Sequence, residues 1–205
     1  SLILSLSVST IFTMLIATSY NIVDTYFVSD LGESSVAAVG IMFSVMALIQ
    51  AVGYTWGMGA GSEIARLLGK QKKREAEQTL ATALAGGILS GAVMAVIFAV
   101  FREDVVRLLG ATDTSLAPAG QYGIYIMLAA PVMCGAYVLN NALRAEGQPY
   151  LALLGILAGG LSNALFDYIL VRVLGLGIAG AGIATLAGQG ISLAIMYICV
   201  RSRCS

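Results

Sequence analysis

The stretch WGMGAGSEIARLLGKQKKRE, Trp56 to Glu75, contains the two signals that decide the fold of this 205-residue chain. Its first part is an apolar run in which Gly57, Gly59 and Gly61 recur at short spacing, and its second part is a loop rich in Lys and Arg. Small residues at such spacing let helices approach closely in lipid, where water no longer drives association. A basic loop of this kind marks an apolar segment that ends at one face of a membrane. The stretch therefore predicts a membrane-embedded helix bundle.

The composition of the whole chain agrees with a membrane protein. Hydrophobic residues make up 59% of the sequence and charged residues only 11%, whereas ordinary soluble domains have roughly 25% charged residues. Eleven basic and eleven acidic residues give a net charge of zero. The chain therefore offers no basic surface to nucleic acid, and we expect the lipid bilayer, not nucleic acid, as its partner.

Metal centres and cofactors find no support in the sequence. The three cysteines are odd in number and scattered, and no Cys or His cluster has the spacing of metal ligands. Gly175, Gly177 and Gly180 in GLGIAG match the dinucleotide pattern G-x-G-x-x-G, but a strand before them and an acidic residue about 20 positions later are missing. We therefore predict no cofactor and no metal centre.

Charged residues divide the chain into six apolar segments, each with about the 20 residues that a transmembrane helix requires. The predicted fold is an all-α membrane protein, a bundle of six transmembrane helices. The spans are expected near Leu2–Val28, Ser34–Ile64, Glu77–Phe101, Ala117–Asn141, Pro149–Val171 and Ile178–Val200. Pro149 suits the first turn of the fifth span.

Six spans leave both termini on one side of the membrane, and the basic residues indicate which side this is. Eight lie at the face of the termini, namely Arg66, Lys70, Lys72, Lys73, Arg74, Arg144, Arg201 and Arg203. Three lie at the opposite face, namely Arg102, Arg107 and Arg172. The positive-inside rule predicts that both termini and the KQKKR loop are cytoplasmic. Because the sequence begins with Ser and shows no targeting signal, we expect a piece of a longer protein.

Two acidic residues fall inside the predicted spans. Asp24, in SYNIVDTYFVSD (residues 19–30), and Asp167 lie within apolar segments, whereas the other nine acids lie in loops or at helix ends. An isolated Asp near the middle of a membrane helix costs roughly 2.5 to 3.5 kcal/mol on insertion scales. Counting from the outer ends of their spans places both carboxylates about 6 to 8 Å below the same face. Two acids at one depth can share a pocket.

Further polar groups gather at this depth. Asn163 lies one turn from Asp167, on the same helix face, and Tyr20 and Asn21 hold a similar relation to Asp24. Tyr122 and Thr185 lie about 8 and 10 Å below the outer ends of their spans. Ionisable residues in membrane spans mark ion or proton pathways. The alternative is that each Asp only hydrogen-bonds neighbouring helices and holds the bundle together.

The coupling ion follows from the available side chains. The chain contains no histidine, so proton binding near neutral pH would fall to a carboxylate. With Asn, Thr and Tyr oxygens beside the acids, Na⁺ is the other candidate, because hard cations prefer oxygen ligands. The sequence leaves H⁺ and Na⁺ open.

Seven blocks of sequence, in order and spacing, resemble one transporter family. They are YNIVDTYFV with LGESSVAAVG, GMGAGSEIARLLGK, RLLGAT, LNNALRAEGQP, SNALFDYILV and GIAGAGIATLAGQ. The chain resembles over its whole length the amino-terminal half of multidrug and toxic compound extrusion (MATE) transporters, and looks closest to the DinF-like bacterial branch. Members have two six-helix lobes and export organic cations and other drugs, driven by H⁺ or Na⁺. The resemblance implies that residues 1–205 form the amino-terminal lobe and that the second lobe is absent from this chain.

The resemblance also assigns roles to residues. It implies a cation site at Asp24, Asn163 and Asp167, with Tyr122 and Thr185 as further members. Tyr20, Asn21 and Tyr125 are candidates for the substrate cavity. Three prolines usual in the family are replaced by Ser9, Ser44 and Tyr168. A bend of the first helix that relies on the first of these prolines is therefore in doubt for this chain.

The function expected from these observations is secondary-active antiport, not enzymatic catalysis. The chain would export drugs in exchange for H⁺ or Na⁺ across the bacterial cytoplasmic membrane, together with a second lobe or a second copy of itself. The alternatives are a flippase for lipids or lipid-linked substrates of the same superfamily, and an inactive half-transporter. An intramembrane aspartyl protease is disfavoured, because Asp24 follows Val23 and Asp167 follows Phe166, which does not match the YD and GxGD motifs of that class.

Overall fold

The computed structural model describes residues 32–204 and part of the segment before them. Within residues 1–31 it describes Ile11, Leu15, Ile22, Thr25, Tyr26, Val28 and Ser29. These seven residues of the first predicted span and its outer end are all helical.

Residues 32–204 form helices joined by short turns, and this range contains no strand. The helices are α1 (Glu33–Gly69), α2 (Lys73–Val100), α3 (Arg102–Leu108), α4 (Asp113–Ala145), α5 (Pro149–Asp167) and α6 (Gly177–Cys204), with a π-helical segment, Tyr168–Val173, directly after α5. All of these helices except the short α3 are long and apolar enough to cross a membrane. The predicted all-α membrane fold is confirmed.

The predicted ends of the spans are wrong by up to five residues. α1 continues to Gly69 instead of Ile64, and α2 begins at Lys73 instead of Glu77. Lys, Arg, Glu and Gln are good helix formers, so a helix continues past its apolar stretch into the headgroup region and water. α4 begins four residues before the prediction because Thr112 caps it, with the Thr112 backbone N–H donating to Ser115 Oγ at 3.0 Å. Helix α3 was not predicted.

The fifth span ends differently from the regular helix that the sequence predicted. After Asp167 the backbone changes to π-helical geometry over Tyr168–Val173. A turn follows in which Gly175 and Gly177 have φ values of +64° and +60°, a region that glycine enters without steric cost. The GLGIAG stretch is thus the turn and the first residues of α6, in agreement with its rejection as a dinucleotide motif.

Helix α4 is the centre of the bundle. It packs against α1, α2, α5 and α6. Of its most apolar 18-residue window, 67% is buried, against 39% or less for each of the other four long helices. The side chains around its middle form the main hydrophobic core with α1, the end of α2 and the start of α6.

Close approach between α1 and α4 depends on matched spacing. Gly53, Gly57 and Gly61 on α1 face Tyr137, Asn141 and Ala145 on α4, and both sets are spaced four residues apart. A Cβ atom at Gly53 would lie 2.7 Å from Tyr137 Cδ2, and one at Gly57 would lie 2.9 Å from the Tyr137 carbonyl oxygen. Only glycine fits at these two positions. The spacing fixes the axial register of the two helices.

Helices α5 and α6 also meet along a line of glycine contacts, which we call the α5–α6 seam. Gly155 contacts Met196, and Gly159 contacts Ser192 and the backbone of Gly188. A Cβ atom at Gly159 would lie 2.7 Å from Ser192 Cβ and 2.9 Å from the Gly188 carbonyl oxygen. The neighbouring Gly160 has open space around it. The seam therefore runs along one face of α5 only.

This difference predicts the outcome of two neighbouring substitutions. Gly159→Ala should destabilise the bundle by roughly 1 to 3 kcal/mol, because the new methyl group overpacks the seam against backbone atoms that cannot move independently. Gly160→Ala should leave stability unchanged or raise it by up to about 1 kcal/mol, since Ala is the better helix former. Thermal unfolding of the purified chain in detergent measures both. Equal thermal unfolding midpoints for the two variants would contradict the close contact inferred at Gly159.

Candidate functional site

The candidate site lies where α5 ends and α6 begins, at one end of the α5–α6 seam. Asn163 and Asp167 continue the four-residue spacing of Gly155 and Gly159 along α5. Their side chains are buried, with 1% and 0% exposure, and Asp167 is the only charged residue in the buried class among the described residues. The antiparallel register of the seam brings Asp167 level with the turn of α6 that contains Ala184. A carboxylate is thus held inside the bundle.

Asn163 and Thr185 connect the two helices directly. The Asn163 Nδ2 group donates to Thr185 Oγ1 at 3.4 Å, and the Thr185 hydroxyl donates to the Ala181 carbonyl oxygen at 3.1 Å. Both side chains are buried. Asn163 Oδ1 is also buried and accepts no hydrogen bond from any residue in the described part of the chain. It is an available acceptor one helical turn below Asp167.

Helix α4 contributes the two predicted tyrosines, and they differ in environment. Tyr122 is completely buried in the main core, in the same cluster as Val171 of the π-helical segment. Tyr125 is half-buried and packs on Gly182 of α6, where a Cβ atom would lie 2.6 Å from Tyr125 Cβ. Tyr125 therefore closes the contact between α4 and α6. Its predicted role in a substrate cavity stays a prediction.

Three predicted site residues, Asp24, Tyr20 and Asn21, lie outside the described residues. Their neighbourhood is partly visible through Tyr26 and Val28. The Arg172 guanidinium carbon lies 5.7 Å from the centre of the Tyr26 ring, within the range of a cation–π interaction. Val28 is fully buried in the core cluster that also contains Val171. The outer end of the first predicted span thus lies beside the π-helical segment that follows Asp167.

The chemistry available in this cluster is that of oxygen donors. The Asp167 carboxylate, the Asn163 amide oxygen and the Thr185 hydroxyl suit a proton or a hard monovalent cation. None of the described Lys and Arg side chains is fully buried. Two cavities lined by described residues contain none of the predicted site residues. Asn163, Asp167 and Thr185 are each exposed by 1% or less.

Sequence reasoning missed two features near this site and one remote from it. The π-helical geometry has no recognisable signal in YILVRV, which is an ordinary apolar span sequence. The Tyr26–Arg172 contact requires knowledge of helix neighbours. The remote feature is a groove around Trp56 at the other end of the bundle. The i, i+4 spacing of Glu63 and Leu67, with Trp56 two turns before Glu63 on the same face, could have indicated it.

Comparisons with known proteins all match most of this chain to one family of membrane transporters. A family model described as MatE matches residues 9–169. The multidrug export protein MepA of Staphylococcus aureus (strain MSSA476) is 29% identical over 185 residues, which are 90% of this chain and 41% of MepA. The structure of an outward-facing multidrug resistance MATE family transporter of the MOP superfamily matches with a TM-score of 0.90 at 31% identity, over 98% of this chain and 45% of that chain.

A further solved structure also matches the chain. It is a MOP superfamily transporter from Pyrococcus furiosus, for which reversed polarity of the binding pocket suggests a different function. It matches with a TM-score of 0.88 at 31% identity, over 96% of this chain and 44% of that chain. The chain spans less than half the length of each of these relatives.

A double-mutant cycle tests the Asn163–Thr185 contact. Thr185→Val should destabilise the chain by roughly 1 to 3 kcal/mol, because the buried Asn163 amide loses its acceptor. The double variant with Asn163→Leu should cost less than the sum of the single changes, with a coupling of roughly 0.5 kcal/mol or more. Thermal unfolding in detergent provides the comparison.

The control for this cycle is Thr82→Val. The Thr82 hydroxyl is exposed and donates to the Gln78 carbonyl oxygen of its own helix, so its loss should change stability little. Strict additivity of Asn163→Leu and Thr185→Val would show that the two side chains do not depend on each other.

Proposed function

The chain belongs to the MATE family of multi-pass membrane transporters, and from that premise we propose that it acts in the export of drugs or organic cations in exchange for H⁺ or Na⁺. The family consists of transporters, so the chain is not an enzyme. The ion-binding site and the transport cycle are proposals for this chain, because it spans less than half the length of its relatives.

The observation that carries the proposal is the burial of Asp167 beside Asn163 and Thr185. An acid in a membrane span is costly to insert, and its cost must be offset by a role in folding or in function. A purely structural acid would be expected where all neighbouring polar atoms are satisfied. Here Asn163 Oδ1 stays without a hydrogen-bond donor within the described part of the chain. An unused oxygen beside a carboxylate favours a site that a cation occupies for part of a cycle.

Asp24 completes the proposed site. The contact between Tyr26 and Arg172 supports the proximity of the first predicted span to the end of α5. Asp24 precedes Tyr26 by two residues and Asp167 precedes Arg172 by five, so by residue count the two acids differ in depth by less than one helical turn. Tyr122 is the further proposed member from α4, and Tyr20, Asn21 and Tyr125 remain the candidates for substrate contact.

The proposed cycle is alternating access. With the acid pair deprotonated, the lobe would favour drug binding. Uptake of a cation from outside would neutralise Asp24 or Asp167, allow the helices around them to repack and release the drug outward. One elementary charge that crosses the membrane potential supplies about 2.3 kcal/mol per 100 mV. A proline-dependent bend of the first helix is not part of the proposal, because Ser9 stands where the family usually has that proline.

The proposal includes the cellular setting. We place the protein in the bacterial cytoplasmic membrane, with both termini cytoplasmic according to the distribution of Lys and Arg. A second six-helix lobe, or a second copy of this chain, would supply the surface against which this lobe moves. Coverage of 41% to 46% of the relatives supports a missing lobe. A chain without either partner would be inactive as a transporter.

A flippase for lipids or lipid-linked substrates is the second candidate from the same superfamily. Such a function would favour a basic interior that binds phosphate groups. Among the described residues, every Lys and Arg is at least partly exposed. The described interior therefore favours cation coupling over binding of an anionic headgroup.

Removal of either acid tests the proposed site. Expressed together with its second lobe, the Asp167→Asn variant should lose drug resistance while it still reaches the membrane, and Asp24→Asn should do the same, since neither amide can exchange a proton. Asp113→Asn, which alters an exposed acid at the start of α4, should retain resistance. Resistance equal to wild type in both site variants would leave only a structural role for the two acids.

Transport measurements in proteoliposomes identify the coupling ion. Addition of a cationic dye to proteoliposomes that contain both lobes should release protons if the acids exchange H⁺ for substrate. If Na⁺ is the coupling ion, dye transport should depend on an inward Na⁺ gradient and no dye-linked proton release should occur. The Asp167→Asn variant should abolish whichever signal is observed. A signal that persists in this variant would place ion coupling elsewhere.

A further inference from the structure

A second potential binding site lies at the opposite end of the bundle, between α1 and α2. The two helices leave a groove of about 720 Å³ between them, close to the loop that joins them. Its lining includes the indole of Trp56 on α1 and the side chain of Thr82 on α2. This groove contains none of the residues of the proposed ion site. It is therefore independent of the proposed transport cycle.

The groove is amphipathic along its length. Near the loop it is lined by two carboxylates, Glu63 and Glu75. Further into the membrane it is lined by Ala60, which is buried, and by Trp56. Leu67, also buried, lies nearer to the loop than Glu63. An amphiphile with a polar head at the loop end and an apolar chain below would match this arrangement.

The depth of the groove in the bilayer also fits an amphiphilic ligand. α1 has 37 residues, so it is about 55 Å long and exceeds the hydrocarbon core of about 30 Å. Glu63 lies about 9 Å, and Trp56 about 20 Å, from the end of α1 at Gly69. The carboxylates thus lie at headgroup level and the indole lies below them. Trp is enriched at this membrane interface.

The charges around the groove have both signs. Glu63 pairs with Arg66 at 2.6 Å, and Glu75 pairs with Lys72 at 2.8 Å. Arg66 donates to both carboxylate oxygens of Glu63, whereas Lys72 donates to one oxygen of Glu75. Exposed pairs with a single hydrogen bond contribute little to stability, so a ligand ammonium group can compete for Glu75 and lie beside Glu63. In the described part of the chain, Lys70, Lys73 and Arg74 form no ion pair. Lys70 in the joining loop and Lys73 and Arg74 in the first turn of α2, together called the basic loop region, are available to a phosphate group.

From this arrangement we propose that the groove binds an aminophospholipid of the cytoplasmic leaflet, with its ammonium group at Glu63 and Glu75, its phosphate at the basic loop region and an acyl chain along Trp56. A purely anionic lipid would place no positive group against the two carboxylates. A simple organic cation would leave the basic loop region unused. A zwitterionic headgroup with a primary ammonium complements both parts.

The chain contains a built-in reporter for this site. Trp56 is the single tryptophan of the sequence, and its Nε1 donates to Ser90 Oγ at 3.0 Å, which fixes the ring at the wall of the groove. Lipids with brominated acyl chains quench tryptophan fluorescence on contact. The experiment uses the full 205-residue chain in phosphatidylglycerol vesicles, to which brominated phosphatidylethanolamine or brominated phosphatidylcholine is added over the same series of mole fractions.

Brominated phosphatidylethanolamine should quench Trp56 at a roughly two- to fivefold lower mole fraction than brominated phosphatidylcholine, the ratio that one exposed ion pair can supply. The Glu63→Gln/Glu75→Gln variant should lose this preference. Glu77→Gln should keep it, because Glu77 is an exposed acid of α2 outside the groove lining. Circular dichroism identifies any variant that has lost its helices.

Two results would overturn the proposal. Equal quenching of the wild-type chain by both lipids would show only nonspecific contact with the surrounding bilayer. Stronger quenching by brominated phosphatidylglycerol than by phosphatidylethanolamine would assign the surface to anionic lipids through the basic loop region alone. Both comparisons use the unmodified chain, so they do not depend on the folding of a variant or on transport activity.

Discussion

The structure depends on close contact between helices at positions where no side chain intervenes. In lipid, apolar surface gains nothing by leaving its surroundings, so helices associate through dense packing and internal hydrogen bonds. Helix α4 receives this packing from four neighbours, and Gly53 and Gly57 bring α1 against its backbone. Because the contacts involve backbone atoms, they fix the axial position of each helix to within a fraction of a turn.

That axial register determines where the polar groups meet. The contact of Gly159 with Gly188 leads along the seam to the Asn163–Thr185 hydrogen bond, and the next turn of α5 carries Asp167. A shift of one helix by a single residue would turn Asn163 away from Thr185 by about 100°. At the end of the bundle near the α1–α2 loop the packing is different, since α1 and α2 leave a groove there with exposed charges of both signs. Packing thus encloses polar atoms at one end and leaves them accessible at the other.

Sequence reasoning located the five spans that the structure describes as long apolar helices, because span length follows from counting residues at a known rise. Asn163 and Thr185, placed at similar depth by that count, are hydrogen-bonded, while the position of Asp24 is still a prediction. The count could not give helix neighbours, so the partnership of Gly53 with Tyr137 was not foreseen. Helix α3 has seven residues, too few for a periodic apolar pattern. The ends of α2 and α4 were misplaced because charged residues extend a helix beyond the bilayer as readily as apolar ones continue it inside.

The π-helical segment after Asp167 has a mechanical consequence. Each of its hydrogen bonds encloses one more residue than a bond in an α-helix, so the segment stores surplus chain without a gain in height. If that turn changed to α-helical hydrogen bonding, the extra residue would become part of the chain that follows. The following backbone would then rotate by about 100° about the helix axis. Arg172 would swing away from Tyr26, whereas Asp167 and the α5–α6 seam before it would stay in place. A rearrangement of this segment would therefore move the residues that follow the buried acid and leave the α5–α6 seam unchanged.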